Sequence, residues 1–338
     1  MTQEIDVRDR YRGAMLGLAV GDALGTTVEF SPPGTFEPVT DMVGGGPFGL
    51  PAGAWTDDTS MALCLAESLA EREAFDPVDQ LERYVRWYRE GHLSSTGSCF
   101  DIGNATATSL GRFERTGEPY PGDAYPDAAG NGGLMRLAPV PLAYAHDEAL
   151  AAERAAESTR TTHGAPQAVD ASRYYAMLMV RALRGASKDE LVGAGSESLV
   201  PADLHPEVLA VACGSYRHRT PPEIRGMGYV VPALEAALWA FHAHDTFEAG
   251  VLAAVNLGDD ADTTAAIYGQ LAGAAFGVGS IPERWLDKLV MREAITAAAD
   301  DLLAGTGCSS YAKRLQALTI FRGRRSSSSR ASPFAMTS

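Results

Sequence analysis

Three short segments of the chain concentrate oxygen ligands: Asp22 and Glu29 in GDALGTTVEF, Thr56, Asp57 and Asp58 in WTDDTSMAL, and Asp259, Asp260, Asp262 and Thr263 in NLGDDADTT. The ordinary role of Thr and Asp at such places is helix capping. Their side chains accept the orphan N–H groups of a first turn, and carboxylates there suit the helix dipole. Capping needs only one of them. Asp259, Asp260 and Asp262 lie within four residues and repel one another, so the surplus charge is better explained by a bound cation. Asp260, Asp262 and Thr263 offer two carboxylates and a hydroxyl, all hard donors, which favours Mg2+ or Mn2+ over zinc. The pattern is not an EF-hand, because the required glycine and the twelfth-position glutamate are missing.

The elements that must hold these groups read as helices. Alanine-rich stretches with helical spacing run over Glu207–Cys213, Pro232–His242, Thr264–Phe276 and Leu289–Leu303, and alternating β-branched runs are nearly absent. The expected fold is all-α. Two of the helices carry a glycine at every fourth position: Gly13, Gly17, Gly21 and Gly25, then Gly269, Gly273 and Gly277. Each row lies on one helix face. Glycine costs about 1 kcal/mol against alanine inside a helix, so the rows predict close backbone approach of a packed neighbour. Gly/Pro-rich stretches, Ser31–Gly53 and Arg115–Gly133, read as long loops of the kind that carries function. No stretch resembles an interdomain linker, and Ser/Arg-rich residues 322–338 read as a disordered tail behind a domain spanning 1–321.

Composition narrows the function. The chain has 338 residues, 46% hydrophobic and 21% charged, with a formal charge of -15, which repels a phosphate backbone and excludes bulk nucleic-acid binding. Cys64, Cys99, Cys213 and Cys308 are too sparse for a disulfide scaffold, which fits a reducing cytoplasm. The first fifteen residues lack the apolar core of a signal peptide, and no run reaches the ~18 apolar residues of a membrane span.

The segments GDALGTTVEF, WTDDTSMAL, DIGNAT, GNGGLMRLAP, TTHGAP and NLGDDADTT occur in the same order as in the ADP-ribosylglycohydrolase family, and the chain resembles that family from about Tyr11 to Gly277. The resemblance implies a compact single-domain orthogonal helical bundle around a central dinuclear Mg2+ or Mn2+ site. It implies that Thr56, Asp57 and Asp58 hold one metal and that Asp260, Asp262 and Thr263 complete the pair. Glu29 matches the acidic residue that reaches the same centre as ligand, water activator or both, and Glu29, Asp57 and Asp260 are the implied catalytic carboxylates. Asp22 is expected to be a structural hydrogen-bonder, and Asp259 has no matching role.

The same resemblance places Asn131, Gly132, Gly133 and Met135 in a substrate loop, with Gly103 in a similar role. Without it, Asn and Gly here would equally suit a tight turn. His163 is expected to border the substrate, Tyr229 to stack on adenine, and Asp101 to pair with an arginine leaving group in fork geometry. The implied reaction removes ADP-ribose from arginine side chains of modified proteins, releasing ADP-ribose. Alternatives are another linkage (serine, O-acetyl-ADP-ribose) or a non-catalytic binding or immunity protein.

Overall fold

The computed structural model describes residues 5–305, so the 322–338 segment and the boundary at 321 lie outside the described residues. The chain forms α1 (Val7–Gly25), α2 (Asp57–Arg72), α3 (Pro77–Glu90), α4 (Asn104–Thr116), α5 (Gly132–Met135), α6 (Pro139–Ala143), α7 (Glu148–Arg160) and α8 (Pro166–Leu183). It continues with α9 (Lys188–Val192), α10 (Pro206–Ala212), α11 (Val230–Ala243), α12 (Phe247–Val255), α13 (Ala261–Phe276), α14 (Glu283–Leu286) and α15 (Arg292–Ala304). The described residues contain no sheet, only isolated bridges such as Gly130 with Tyr229, and the fold is compact and all-α.

The glycine rows explain the centre of the molecule. A Cβ at Gly13, Gly17 or Gly21 would be driven onto the carbonyl oxygen of Gly273, Gly269 or Ala265, and a Cβ at Gly25 onto the backbone of Asp262. Helix α1 therefore lies against α13 backbone to backbone, and only glycine at these contacts permits it. This contact has a functional consequence, because it sets the C-terminal end of α1, with Asp22, beside the first turn of α13, with Asp262. Around the pair, α8, α11 and α12 bury Ala, Leu, Tyr and Phe side chains in one continuous core cluster.

Helix α15 begins at Arg292, three residues later than the alanine pattern suggests. The segment before it is held otherwise: Val290 donates its N–H to Gly53 O (2.9 Å) and accepts from Trp55 Nε1 (3.0 Å). Those bonds also fix the end of the 31–53 loop. Further along that loop, Val39 exchanges hydrogen bonds with the Asn256 amide, and Asp41 accepts from Trp285 Nε1 (2.6 Å) and Lys288 Nζ (2.9 Å). The long loop is thus tied down at intervals, which gives the start of α2 a defined place.

Candidate metal and catalytic site

The N-termini of α2 and α13 point at the end of α1. Thr56 and Asp260 occupy the N-cap positions, yet neither side chain makes a capping hydrogen bond. Both are turned to other work. Asp22 lashes α2 to α1: its Oδ1 accepts from Thr56 N (2.8 Å) and Thr56 Oγ1 (2.9 Å), and its Oδ2 from Thr59 N (3.0 Å) and Thr59 Oγ1 (2.6 Å). That is the structural role the sequence suggested for Asp22.

Thr56 Oγ1 also lies 3.0 Å from Asp58 Oδ2 and 3.3 Å from Asp262 Oδ2. A hydroxyl has one proton, so it can satisfy one of these three carboxylates. Asp58 Oδ1 and Glu29 Oε2 are buried with no hydrogen-bond partner at all. Carboxylate oxygens of Asp22, Asp58 and Asp262 come within 4.8 Å of one another, and so do those of Glu29, Asp101 and Asp262. The two groups share Asp262. Two of these oxygens, on Asp58 and Glu29, have no partner, and close-set hard oxygen donors of this kind fit divalent cations.

Electrostatics says the same. Burial, then repulsion from Asp101 and Asp260, pushes the Glu29 carboxyl up to about 9. Burial raises Asp22 and Asp101 to about 6, and burial with neighbouring carboxylates raises Asp57, Asp58 and Asp262 well above the usual range. Asp260 is raised by burial, against a bond from Asn131 Nδ2 (2.6 Å). The helix dipoles of α2 and α13 offset only part of this cost.

A stability prediction follows. A carboxyl whose folded-state pKa is raised holds its proton more tightly in the folded than in the unfolded chain, so stability falls as pH rises toward the folded value. The interval from pH about 7.2 to about 7.8 lies between the unfolded-state histidines and cysteines, which titrate near 6.5 and 8.5, and keeps their contributions small. There, thermal unfolding in excess chelator should give a melting temperature that drops as pH rises, and saturating Mg2+ should flatten the slope. A metal-free melting temperature that rises across this window would contradict the assignment.

The carboxylates open into a cavity of about 600 Å3 walled by Glu29, Asp57, Asp101, Asp260, Asp262 and Thr263, with Gly103, Asn131, Gly132, Met135 and His163 opposite. Most candidate residues therefore meet in one place. Thr56 and Asp58 lie beneath the wall, buried in the hydrogen-bond network. Gly133 is also behind it, where a Cβ would meet Thr159 Cγ2 at 2.5 Å, and Tyr229 is not among the walling residues. Tyr229 is joined to the site through its backbone bridge to Gly130 while its hydroxyl donates to Glu207 (2.9 Å).

His163 lies against Gly130 and Gly132; a Cβ on Gly132 would sit 2.6 Å from His163 Cε1. Its protonation is fixed from behind. Fully buried Arg136, stacked over the Tyr84 ring at 4.7 Å, donates to Thr162 Oγ1 (2.6 Å), whose own proton is left for His163 Nδ1 (2.8 Å). Hydrogen-bond accounting therefore assigns neutral His163 the Nε2–H tautomer. Burial, with Arg136 nearby, lowers its pKa to about 3, so it stays neutral. Helix α4 adds further donors: Gly103 provides no side-chain cap, and Asn104, Ala105 and Thr106 of the first turn wall the cavity.

Three walling residues, Arg225, Met227 and Gly228, lie outside every segment singled out in the sequence, and Phe30 ends GDALGTTVEF without having been given a role. Arg225 pairs with Asp259 at 2.6 Å, which gives that extra acid a partner outside the cation cluster.

Comparison with known proteins agrees with this geometry. Residues 3–311 match the ADP-ribosylglycohydrolase family. The chain is 44% identical over 296 residues to ADP-ribosylarginine hydrolase Tri1 of Pseudomonas putida (strain GB-1), covering 87% of this chain and 78% of that protein. It is 35% identical over 313 residues to the ADP-ribosyl-dinitrogen reductase glycohydrolase of Rhodospirillum rubrum, covering 89% and 98%. A solved structure described as an ADP-ribosylglycohydrolase-related protein complex superposes with a TM-score of 0.79 at 50% identity, over 89% of this chain and 99% of that one. The chain belongs to the ADP-ribosylglycohydrolase family.

Proposed function

We propose that the protein is a Mg2+- or Mn2+-dependent ADP-ribosylarginine hydrolase that removes ADP-ribose from modified proteins in the cytoplasm. The observation that carries the reading is the pair of carboxylate groups joined at Asp262, one of which, Glu29, Asp101 and Asp262, walls the cavity. The names of the relatives at 44% and 42% identity, both ADP-ribosylarginine hydrolase Tri1, support the linkage.

The proposed ligands are Thr56, Asp57, Asp58, Asp260, Asp262, Thr263 and Glu29, and the bound ions would orient the ribose hydroxyls and acidify the attacking water. The chain's own residues supply the rest. Breaking the bond between ribose C1'' and the guanidinium nitrogen builds positive charge on the sugar, which Glu29, Asp57 and Asp260 stabilise. A water oxygen forms the new bond to C1''. Its proton passes to one of these carboxylates, and the bond pair leaves with the guanidine, which takes up that proton as free arginine. An already cationic leaving group needs little acid catalysis, so a site built from bases suffices. The pyrophosphate would lie toward the α4 N-terminus and the His163 Nε2–H, neutral donors in a cavity whose cationic wall residue Arg225 is paired with Asp259.

The test is release of ADP-ribose from ADP-ribosyl-arginine, ADP-ribosyl-serine and O-acetyl-ADP-ribose. Strong preference for the first is expected; equal or greater release from either of the others would replace the linkage. Asp101→Ala probes recognition directly. Loss of a charge-assisted contact of about 1.5–3 kcal/mol should slow arginine cleavage by roughly one to two factors of ten while leaving free ADP-ribose binding nearly unchanged. The oxygen of Asp101 near Glu29 and Asp262 supports a second reading, in which Asp101 is a metal ligand. In that case the variant loses ADP-ribose binding and cleavage together.

A further inference from the structure

Phe30, Phe48 and Phe100 form a row that starts at the cavity wall with Phe30: Phe30 meets Phe48 edge-on at 6.4 Å between ring centroids, and Phe48 meets Phe100 tilted at 5.3 Å. None of the three belongs to the hydrophobic core cluster or packs against it. Phe30 is 66% exposed and walls the cavity. The outer rings of the row follow and precede the two acids Glu29 and Asp101 in sequence, and oxygens of those acids approach within 4.8 Å. Phe30 is also held in an unfavourable backbone conformation, φ +61°, which a bulky residue rarely adopts. Two bonds enforce it: Phe30 N–H to Asp259 O (2.7 Å) and Asp259 N–H to Ser31 O (2.8 Å). An exposed phenyl, strained and pinned beside a carboxylate, contributes nothing to the core and is displayed to a ligand.

We infer that this aromatic lip is the subsite for the arginine side chain of the modified protein, taking the guanidinium on the ring faces and its methylene stem along the rings; the inference rests on the hydrolase reading above. Charge decides the occupant. The anionic pyrophosphate is drawn to the α4 N-terminus and His163, away from Glu29 and Asp101. What emerges on the carboxylate side of the cleaved bond is a planar cation on an apolar stem. Aromatic faces attract guanidinium groups and cover such stems, and the adjacent carboxylates hold the charge in register. A serine-linked substrate has neither cation nor stem and gains nothing from the lip.

The experiment measures kcat and KM on an ADP-ribosyl-arginine protein, and the Kd of free ADP-ribose by calorimetry, for the full chain in Mn2+. The variants are Phe30→Ala, Phe30→Leu, Phe30→Trp and Phe100→Ala. Phe30→Ala should lower kcat/KM about tenfold, mainly through KM, as expected for loss of one partly exposed cation–π contact with its apolar cover. The Kd of ADP-ribose should stay within about twofold, since that ligand lacks the arginine. Phe30→Trp should restore most of the loss and Phe30→Leu should not; Phe100→Ala, away from the strained position, should show a smaller loss of the same kind. An unchanged kcat/KM in both alanine variants, an equal loss of ADP-ribose affinity, or full rescue by leucine would each overturn the lip. A wild-type chain unable to cleave ADP-ribosyl-arginine would instead overturn the hydrolase reading and the lip with it.

Discussion

Asp262→Asn is expected to remove metal binding and turnover together while leaving the helices intact. Asp262 is the carboxylate common to both oxygen groups, so its loss would weaken both proposed cation positions at once. A bound metal commonly supplies several kcal/mol of transition-state stabilisation, and each 1.36 kcal/mol is a tenfold rate, so the loss should be about a thousandfold or more. Asparagine keeps an oxygen to accept the Thr263 N–H now bonded to Asp262 Oδ1 at 2.8 Å. It also relieves repulsion among buried acids, so the metal-free variant should melt at or above the metal-free wild-type temperature. Calorimetric Mn2+ titration and a thermal scan separate the outcomes. Unfolding of the variant with Mn2+ affinity unchanged would return Asp262 to a capping role.

Gly17→Ala should have the largest effect on stability. The added methyl would meet the Gly269 carbonyl and lie 3.1 Å from Phe247 Cε2, with no flexible side chain able to yield at the backbone contact. Overpacking of side chains costs about 1–3 kcal/mol, and a backbone clash should reach or exceed the top of that range, well beyond the ~1 kcal/mol gained from alanine's helix propensity. For a domain of this size the melting temperature should fall by roughly 6–12 °C. Gly111→Ala is the matched control. Gly111 lies in α4 with Arg115 Nη1 at 3.7 Å as its nearest neighbour, so alanine fits and should stabilise by about 0.5–1 kcal/mol. Equal responses at the two positions would mean that the glycine row has no packing role. Gly17→Ala should also impair turnover in the molecules that remain folded, because separating α1 from α13 draws Asp22 away from Asp262.

What could be read in the sequence was what local chemistry encodes. The glycine rows announced close approach of a neighbouring helix because glycine inside a helix is costly without a reason, and the structure shows that α1 and α13 are each other's neighbour. The acidic segments pointed to a clustered oxygen site because they hold more charge than a cap can use, and the structure gathers them with their cap positions free of side-chain caps. What could not be read depended on distant segments meeting. Nothing local marks Arg136 as the buried donor that sets the His163 tautomer, since its partners Tyr84 and Thr162 come from other helices or turns. Phe30, Phe48 and Phe100 look like ordinary apolar residues of three loops until the fold sets them in a row. The approach of Asp101 to Glu29 and Asp262 likewise joins segments separated by more than seventy residues.

One carboxylate array around Asp262 is proposed both to hold two cations and to cleave the arginine linkage. Turnover of an ADP-ribosyl-arginine protein by chelator-stripped protein, followed as Mn2+ is added in known equivalents, tests it most directly. No release is expected without metal, and the rate should climb to its plateau as the second equivalent binds. Full release by the stripped protein, or a plateau reached with one equivalent, would contradict it.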